Sequence, residues 1–393
     1  HYEAIQKDPT YSRFFHWGTK NLYTLYEPQG LVPVKNLASS VFPEHARFTR
    51  PGYQDHVELK PHRCWSCNHQ SCNLLTIKTG PYAGFKGEEP DYEIMVAFGS
   101  LTGNLDADAA ITLCDQVDRL GLEANETGWL LAWVMECFEK GYLTSKDTDG
   151  LQMTWGNVAA VREMMGKIAR REGFGNLLAE GLARASQTVG GKAAECAVYI
   201  KKGHAPRGHD HRARWYEILD YATSNTGTIE TGGISAPEKL GLPAFTDPFS
   251  PEQIPYFLAK TKGGGLFLDS LVMCVWCAGR FFPILTNLVN AATGWDMTVE
   301  EALGMGMRVS NLLRCFNVRH GITPEVEYPS ARYGSAPVDG PVKGKNIMDH
   351  WEEMLDRYYE VMGWDRKTGK PLPETLRSQG LDYAIAELWG PSA

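Results

Sequence analysis

Apolar residues recur at helical spacing through most of the chain, whereas strand-like alternation is rare. Ala109, Leu113 and Val117, for example, fall on one face of a predicted helix that ends at Gly121. The stretch 74–78 alternates as a short strand does. The pattern therefore predicts a mostly α-helical protein with little β structure.

The remaining predicted helices share the same period and short connections. They span residues 9–23, 123–142, 155–171, 174–189, 267–278, 281–292, 299–317 and 349–362. Segments rich in glycine and proline are predicted to be irregular, at 80–90, 232–255 and 324–345. The proline in 31–36 indicates an extended piece. A polar stretch near residue 200 separates two runs of helices, so we predict two helical domains, 1–200 and 201–393.

Composition narrows the function classes. Lys and Arg number 39 against 47 Asp and Glu, a net charge of -8, which argues against a nucleic-acid or anionic-membrane binder. No apolar run approaches the roughly 18 residues of a membrane span. Nine cysteines without a dense disulfide pattern indicate a reducing compartment, and we expect a cytoplasmic protein. The chain opens without methionine, so we expect it to be the C-terminal part of a longer polypeptide.

Three cysteines, Cys64, Cys67 and Cys72, fall within nine residues and are the main candidates for metal binding. A [4Fe–4S] cluster takes four thiolates, often three close together and one distant. A structural zinc site takes four Cys or His ligands, and the nearby His69 keeps that alternative open. The pattern predicts a metal site whose fourth ligand is distant.

A fourth thiolate is available at Cys274 or Cys277, about two hundred residues downstream. Four further cysteines lie within helical patterns and are predicted to be small buried residues, Cys114, Cys137, Cys196 and Cys315.

Two short stretches combine an aspartate with a later acid or cysteine. Asp118 is followed by Gly121, Leu122 and Glu123, and Asp269 is followed by Cys274 at the same spacing. Either stretch alone is also typical of an ordinary helix end.

Together with the cysteines, these stretches resemble the tungsten-containing aldehyde:ferredoxin oxidoreductase family. In that family three close cysteines and one distant cysteine hold a [4Fe–4S] cluster, and motifs Asp-x-x-Gly-Leu-Asp and Asp-x-x-Gly-Leu-Cys grip two pterins. Here Glu123 replaces the last aspartate, and Val272 and Met273 replace Gly-Leu. Further similar segments follow in the family's order, at 31–36, 90–93, 221–225, 314–321 and 358–365.

The resemblance implies the cofactors and their ligands. The implied cluster ligands are Cys64, Cys67, Cys72 and Cys274; one extra residue before Cys72 leaves His69 as the alternative third ligand. A tungsten bis-pterin, with molybdenum as the alternative metal and magnesium as an accessory ion, is implied as the second cofactor. Its implied binding residues are Asp118, Gly121, Leu122, Glu123, Asp269 and Met273.

The resemblance also implies catalytic residues. Glu93 matches the family's proposed general acid/base, and we expect burial to raise its pKa. Glu230 stands where the family commonly has a histidine. His204 is a further candidate catalytic residue, in a stretch with His209 and His211 that we expect to provide a polar cavity lining.

The implied fold is two helical domains with the cofactor at their interface, without the family's β-rich N-terminal domain. The implied reaction oxidises an aldehyde to a carboxylic acid, with ferredoxin or another electron-transfer subunit as acceptor, in a homo- or hetero-oligomer. A reductive relative, such as the tungsten subunit of a class II benzoyl-CoA reductase acting on an aromatic acyl-CoA, is the alternative. A zinc-stabilised helical binding module is the alternative from another class.

Overall fold

The computed structural model describes residues 2–65, 67, 71–227, 237–278 and 282–390. Helices dominate these residues, with a small three-stranded sheet, which confirms the predicted mostly α class. Contacts divide the chain into two compact units. The larger unit comprises Asp8–Ala213 and Pro329–Asn346, and the smaller unit His1–Lys7, Arg214–Tyr328 and Ile347–Ala393. The domains 1–200 and 201–393 stay a prediction; the contacts group residues differently, because 329–346 returns to the larger unit.

The larger unit contains the sheet and ten of the described helices. The helices are α2 (Pro9–Trp17), α3 (Leu22–Tyr26), α4 (Arg50–Tyr53), α5 (Tyr92–Phe98), α6 (Ala107–Arg119), α7 (Ala124–Glu139), α8 (Val158–Arg170), α9 (Phe174–Leu178), α10 (Leu182–Val189) and α11 (Gly191–Glu195). The strands are β1 (Val57–Pro61), β2 (Asn73–Ile77) and β3 (Lys86–Glu88). They pair antiparallel in the order β1-β2-β3, with Pro61 opposite Asn73.

Helix α7 is the centre of this unit, because apolar residues surround it on nearly every side. Trp129 and Trp133 are fully buried, and their indole N–H groups donate to backbone carbonyls of Pro206 (2.6 Å) and Ala193 (2.7 Å). Each buried indole therefore has a partner, as burial requires. Gly128 lets α5 approach closely, since a Cβ there would lie 2.5 Å from the Ala97 Cβ.

Helices are the main regular elements among the described residues of the smaller unit. Its helices are α1 (Tyr2–Lys7), α12 (Trp215–Thr223), α13 (Gln253–Ser270), α14 (Val275–Ala278), α15 (Phe282–Thr293), α16 (Val299–Arg319), α17 (Trp351–Met362), α18 (Pro373–Ser378) and α19 (Asp382–Trp389). Helices α13 and α16 cross at two glycines: a Cβ on Gly306 would lie 1.6 Å from the Gly263 carbonyl oxygen. Any side chain at Gly306 would force the two helices apart.

A buried polar network fixes the last part of this unit. Arg314 on α16 donates to the Glu327 carboxylate (2.5 Å), the Tyr359 hydroxyl (2.6 Å) and the Gly369 carbonyl (2.8 Å). The Tyr359 hydroxyl in turn donates to Glu327. The guanidinium is fully buried, so its charge is tolerated because these acceptors replace water.

Several predicted boundaries are wrong. The predicted helix 267–278 is replaced by α13, which ends at Ser270, and the short α14. The predicted helix 174–189 breaks before Gly181, whose φ of 85° is left-handed. Strand β3 lies in the segment 80–90 that was predicted to be irregular, and the segment 31–36 ends in left-handed residues.

Candidate functional site

The three clustered cysteines lie in the connection between β1 and β2. The Cys67 N–H donates to the Cys64 carbonyl (3.1 Å), and the His62 N–H donates to the Cys72 carbonyl (3.0 Å), which closes the loop. Burial raises the pKa of the Cys72 thiol, Ser71 opposes this, and the adjacent Cys64 thiol raises it further. These contacts bring Cys64 and Cys72 together. Residue 66 and residues 68–70, with the alternative ligand His69, lie outside the described residues.

A buried carboxylate, which the sequence analysis missed, anchors this loop. Glu89 accepts hydrogen bonds from Arg50 (2.7 and 2.6 Å), Tyr53 (2.8 Å) and Asn73 (2.7 Å), and the Lys20 ammonium lies 3.2 Å away. Burial alone would raise the pKa of Glu89, but these donors and cations lower it to about 2.

Arg50 extends this network into the loop itself. Its Nη2 also donates to the Ser71 carbonyl (2.9 Å), directly before Cys72. One ion-pair network, formed by Arg50 and Glu89, therefore holds the residues on both sides of Cys72. It bonds to the Ser71 carbonyl through Arg50 and to the Asn73 amide through Glu89. In the sequence Glu89 is one of several acids around Pro90, a pattern that is too common to single out.

Glu93 stands in the first turn of α5, where its carboxylate lies 3.4 Å from His209 Nε2. The His209 ring is 1% exposed and packs edge-on against Tyr26 and Tyr92, with centroid distances of 5.0 and 5.4 Å. The segment that carries His209 approaches α5 closely, since a Cβ on Gly208 would lie 3.0 Å from the Glu93 carbonyl oxygen.

The expectation of a raised Glu93 pKa is wrong in this structure. Burial does raise the pKa, but the hydrogen bond and charge of His209, followed by the charge of Arg207, lower it overall. The hydrogen bond from His209 and the nearby Arg207 guanidinium thus favour the ionised form of the Glu93 carboxylate.

The other two predicted catalytic residues are placed differently. His204 is half-buried, and its carbonyl accepts the Ile200 N–H (2.9 Å) in a tight turn. In the same stretch, His209 Nε2 lies 3.4 Å from the Glu93 carboxylate. His211 bonds through Nδ1 to the hydroxyl of the buried Tyr333. Glu230 lies outside the described residues.

The stretch from Asp118 to Glu123 forms the end of α6 and the start of α7. The Gly121 N–H donates to the Asp118 carbonyl (3.0 Å) and the Leu122 N–H to the Val117 carbonyl (3.2 Å), which is a Schellman motif. Gly121 has a φ of 67°. The Glu123 carboxylate then caps α7 by accepting the N–H groups of residues 125 and 126. Glu123 therefore has a structural role that explains an acid at this position.

The stretch from Asp269 to Cys274 forms the same motif at the end of α13. The Val272 N–H donates to the Asp269 carbonyl (3.0 Å), and the Met273 N–H donates to the Leu268 carbonyl (3.2 Å). Val272 takes the left-handed position with a φ of 56°, and Met273 packs onto an apolar cluster that includes Phe282. Cys274 follows directly and is exposed.

The two aspartates have the same setting in their own units. Both are exposed at the last turn of a helix, and neither carboxylate accepts a hydrogen bond from another described residue. Partial burial raises the pKa of Asp118, and Asp115, Glu88 and Asp91 raise it further; burial also raises the pKa of Asp269. Both carboxylates are therefore available as acceptors for external N–H donors.

A sequence profile of the family described as "Aldehyde ferredoxin oxidoreductase, domains 2 & 3" matches residues 1–381. A relative named tungsten-containing aldehyde ferredoxin oxidoreductase, from Pyrococcus furiosus, is 32% identical over 93% of this chain and 60% of its own length. A protein of the same name from Thermococcus kodakarensis is 32% identical over 94% of this chain and 60% of its own. This chain therefore spans about 60% of the length of these relatives.

The fold is also similar to a solved structure, the active site complex BamBC of benzoyl coenzyme A reductase with 1,5 Dienoyl-CoA. The similarity has a TM-score of 0.75 and covers 95% of this chain and 61% of that chain, at 19% identity. No helix of the described ranges is long and apolar enough to cross a membrane. The profile match over almost the whole chain and the two relatives show that this chain belongs to the aldehyde ferredoxin oxidoreductase family, a family of oxidoreductases.

Proposed function

We propose that this chain belongs to a tungsten bis-pterin, iron–sulfur oxidoreductase that oxidises an aldehyde to a carboxylic acid, with ferredoxin as electron acceptor. The observation that carries the proposal is the pair of equivalent helix ends. Asp118 and Asp269 occupy the same position of two Schellman motifs, each with an unbonded carboxylate. Two equivalent acceptors suit a cofactor with two similar pterins, because each pterin offers ring N–H groups.

The donor set also suits the cluster. Cys64, Cys67 and Cys72 are brought together by the hydrogen bonds of the β1–β2 loop, and Cys274 is exposed beside the Asp269 helix end. Thiolates are the ligands that iron–sulfur clusters take. We assign these four cysteines as cluster ligands, with His69 as the alternative to Cys72. When bound, tungsten and cluster supply the electron-accepting chemistry that side chains lack.

Glu93 is the proposed base. Oxidation of a hydrated aldehyde to an acid releases two protons with its two electrons, so a base near the substrate is needed. The Glu93 carboxylate accepts one proton, and His209, 3.4 Å away, holds the carboxylate ionised beforehand. His209 is thus a positioning residue, whereas Glu230 and His204 remain predicted catalytic residues.

Metal analysis of anaerobically purified protein tests the cofactor assignment. We expect about one tungsten and four iron atoms per chain, with no stoichiometric zinc. Zinc alone would overturn the proposal and favour the zinc-stabilised binding module. Iron without tungsten or molybdenum would support the cluster, but it would show that this chain alone does not bind the pterin cofactor.

An activity screen then tests the reaction. The loaded protein is assayed with short and aromatic aldehydes and a viologen dye or ferredoxin, and separately with benzoyl-CoA and a low-potential reductant. Aldehyde-dependent dye reduction supports the proposal. Turnover of benzoyl-CoA alone would favour the reductive alternative, for which the fold similarity to the benzoyl coenzyme A reductase complex is the supporting observation. We further propose that the protein is cytoplasmic, since bound thiolates suit a reducing compartment. Magnesium beside the pterins is proposed as the accessory ion.

A further inference from the structure

A cavity of about 260 Å³ lies on the larger unit, away from the residues assigned above. Cationic side chains line much of it: Lys35, Lys140, Arg212 and Arg332. Two carboxylates, Glu136 and Glu139, the Ser335 hydroxyl and the half-buried Trp155 complete the polar part of the lining. Every lining residue belongs to the larger unit, so the cavity is built within one compact body.

Of the four cations that line the cavity, Lys35 has no anionic partner among the described residues. Its ammonium lies 5.8 Å from the centre of the Trp155 ring, and its aliphatic stem lies against Gly103. The backbone is left-handed at Lys35, Asn36 and Leu37, with φ of 43°, 55° and 64°. Three consecutive left-handed residues without glycine are costly, and such strain is concentrated where side chains must be held for binding.

The arginines and Lys140 leave further positive charge at the cavity. The buried Glu136 is shared by Lys140, by Arg332 Nη2 (3.1 Å) and by the neutral Asn36 amide (2.5 Å), so one carboxylate serves two cations. Arg332 Nε donates to the Asn36 carbonyl (3.0 Å), and its Nη1 donates to no other group in the described part of the chain. Glu139, exposed at the rim, offsets part of this excess.

Two other donors face the same requirement for an acceptor. Arg212 is paired with Asp210 through Nε (2.8 Å) and Nη2 (2.7 Å), which leaves Nη1 with a long contact to Ser335 (3.4 Å). The Trp155 indole N–H is buried without an acceptor in the described ranges. The long Ser335 contact leaves Arg212 Nη1 with hydrogen-bonding capacity for an acceptor in the cavity that Arg212 lines.

We infer that this cavity binds a phosphate group, either free phosphate or the terminal phosphate of a small ester. The ligand must offer several acceptor oxygens and negative charge, and it must be small enough for the cavity. A tetrahedral oxyanion meets these conditions, because guanidinium and ammonium donors bind its oxygens from several directions. The Trp155 ring and Gly103 hold the Lys35 ammonium at the edge of this site.

Calorimetric titration of the full chain in low-salt, phosphate-free buffer tests the inference. Inorganic phosphate and adenosine monophosphate are the two probes, and adenosine is the uncharged control. Lys35→Glu is expected to weaken binding about tenfold to a hundredfold, since it replaces one charged contact by a repulsive one. Lys35→Arg should bind as the unchanged protein does. Lys146→Glu, an exposed lysine outside the cavity, changes net charge equally and should leave binding intact.

Equal affinity for both probes identifies free phosphate as the ligand, and tighter binding of the ester identifies a phosphate ester. No binding of either probe at about 10 mM, where even weak anion sites fill, would overturn the inference. An equal loss of affinity in Lys35→Glu and Lys146→Glu would also overturn the inference, because nonspecific charge attraction would then explain the binding. Far-ultraviolet circular dichroism of each variant confirms that any loss is not a loss of folding.

Discussion

Gly121 and Val272 occupy the same backbone position at the ends of two helices in different units. Each is the left-handed residue of a Schellman motif, with φ of 67° and 56°, and each follows an aspartate by three residues. Glycine takes this conformation freely, whereas the Cβ and branched side chain of valine disfavour it. Val272 is also 92% exposed, so packing does not offset the strain.

We therefore expect Val272→Gly to stabilise the protein. Relief of left-handed strain is worth about 1–2 kcal/mol, and the added flexibility of glycine in the unfolded chain removes part of it, which leaves a gain of about 1 kcal/mol. Chemical denaturation measures the free energy of unfolding. Val272→Ala serves as the control, because alanine keeps the Cβ and should gain less. A destabilised Val272→Gly would show that valine makes an unseen contact.

Glu89 gives the larger unit an acid-sensitive anchor. The folded-state pKa is about 2, below the usual 4.5, so the folded state favours ionised Glu89. The resulting stability is complete above pH 4.5 and is lost as the pH falls toward 2; at neutral pH it amounts to about 3 kcal/mol. Glu89→Gln should lose this amount at pH 7 and differ less from the unchanged protein near pH 3.

Denaturation curves at several pH values measure this difference. The control is Glu58→Gln, because Glu58 is an exposed carboxylate that pairs with Lys78. An offset between Glu89→Gln and the unchanged protein that stays constant from pH 7 to 3 would contradict the assignment. In that case the loss would come from packing, which does not depend on pH.

Glu93→Gln should abolish aldehyde oxidation while the metals stay bound. An amide has the shape of the carboxylate but accepts no proton, and loss of a general base commonly costs about a hundredfold or more. Metal content and turnover are measured on the same preparation. Retained activity would remove Glu93 from the mechanism, whereas loss of tungsten with activity would point to a structural role.

His209→Gln should move the acidic limb of the pH–rate profile to higher pH. His209 lowers the pKa of Glu93, so its removal raises that pKa, and a higher pH is then needed to ionise the base. His45→Gln, an imidazole that bonds to the Phe42 carbonyl instead, is the matched control. A shift in His204→Gln with none in His209→Gln would favour the residue that the sequence predicted.

Cys72→Ala and Cys274→Ala should each lower the bound iron well below four atoms per chain, because each removes one proposed thiolate. Cys315→Ala is the control, since this buried thiol packs in an apolar cluster of α16, α18 and α19 and should retain iron. His69→Ala distinguishes the two candidates for the third cluster ligand. If iron is lost in His69→Ala and kept in Cys72→Ala, the third ligand is the His69 imidazole.

Much of the helical class could be predicted from sequence because helical periodicity is a local property. The predicted helix that ends at Gly121 corresponds to α6, and the predicted helix 299–317 corresponds to α16. Strand β1 was missed although Val57 to Lys60 alternates between apolar and charged residues, because so short a run is a weak signal and the strand forms by pairing with β2. The start of α13 was missed because its three glycines read as a break, although packing on α16 keeps them helical.

The sequence by itself determined the helical class, the family resemblance, the three close cysteines and the spacing of the two aspartate stretches. All of these depend on residues near one another along the chain. Only the tertiary structure decided that Glu89 anchors the cysteine loop, that His209 lies beside Glu93, and that Lys35 lines a cavity with other cationic side chains. Those outcomes depend on contacts between side chains that are distant in sequence. The distances between these side chains, and their burial, determine which pKa values shift and which donors lack an acceptor.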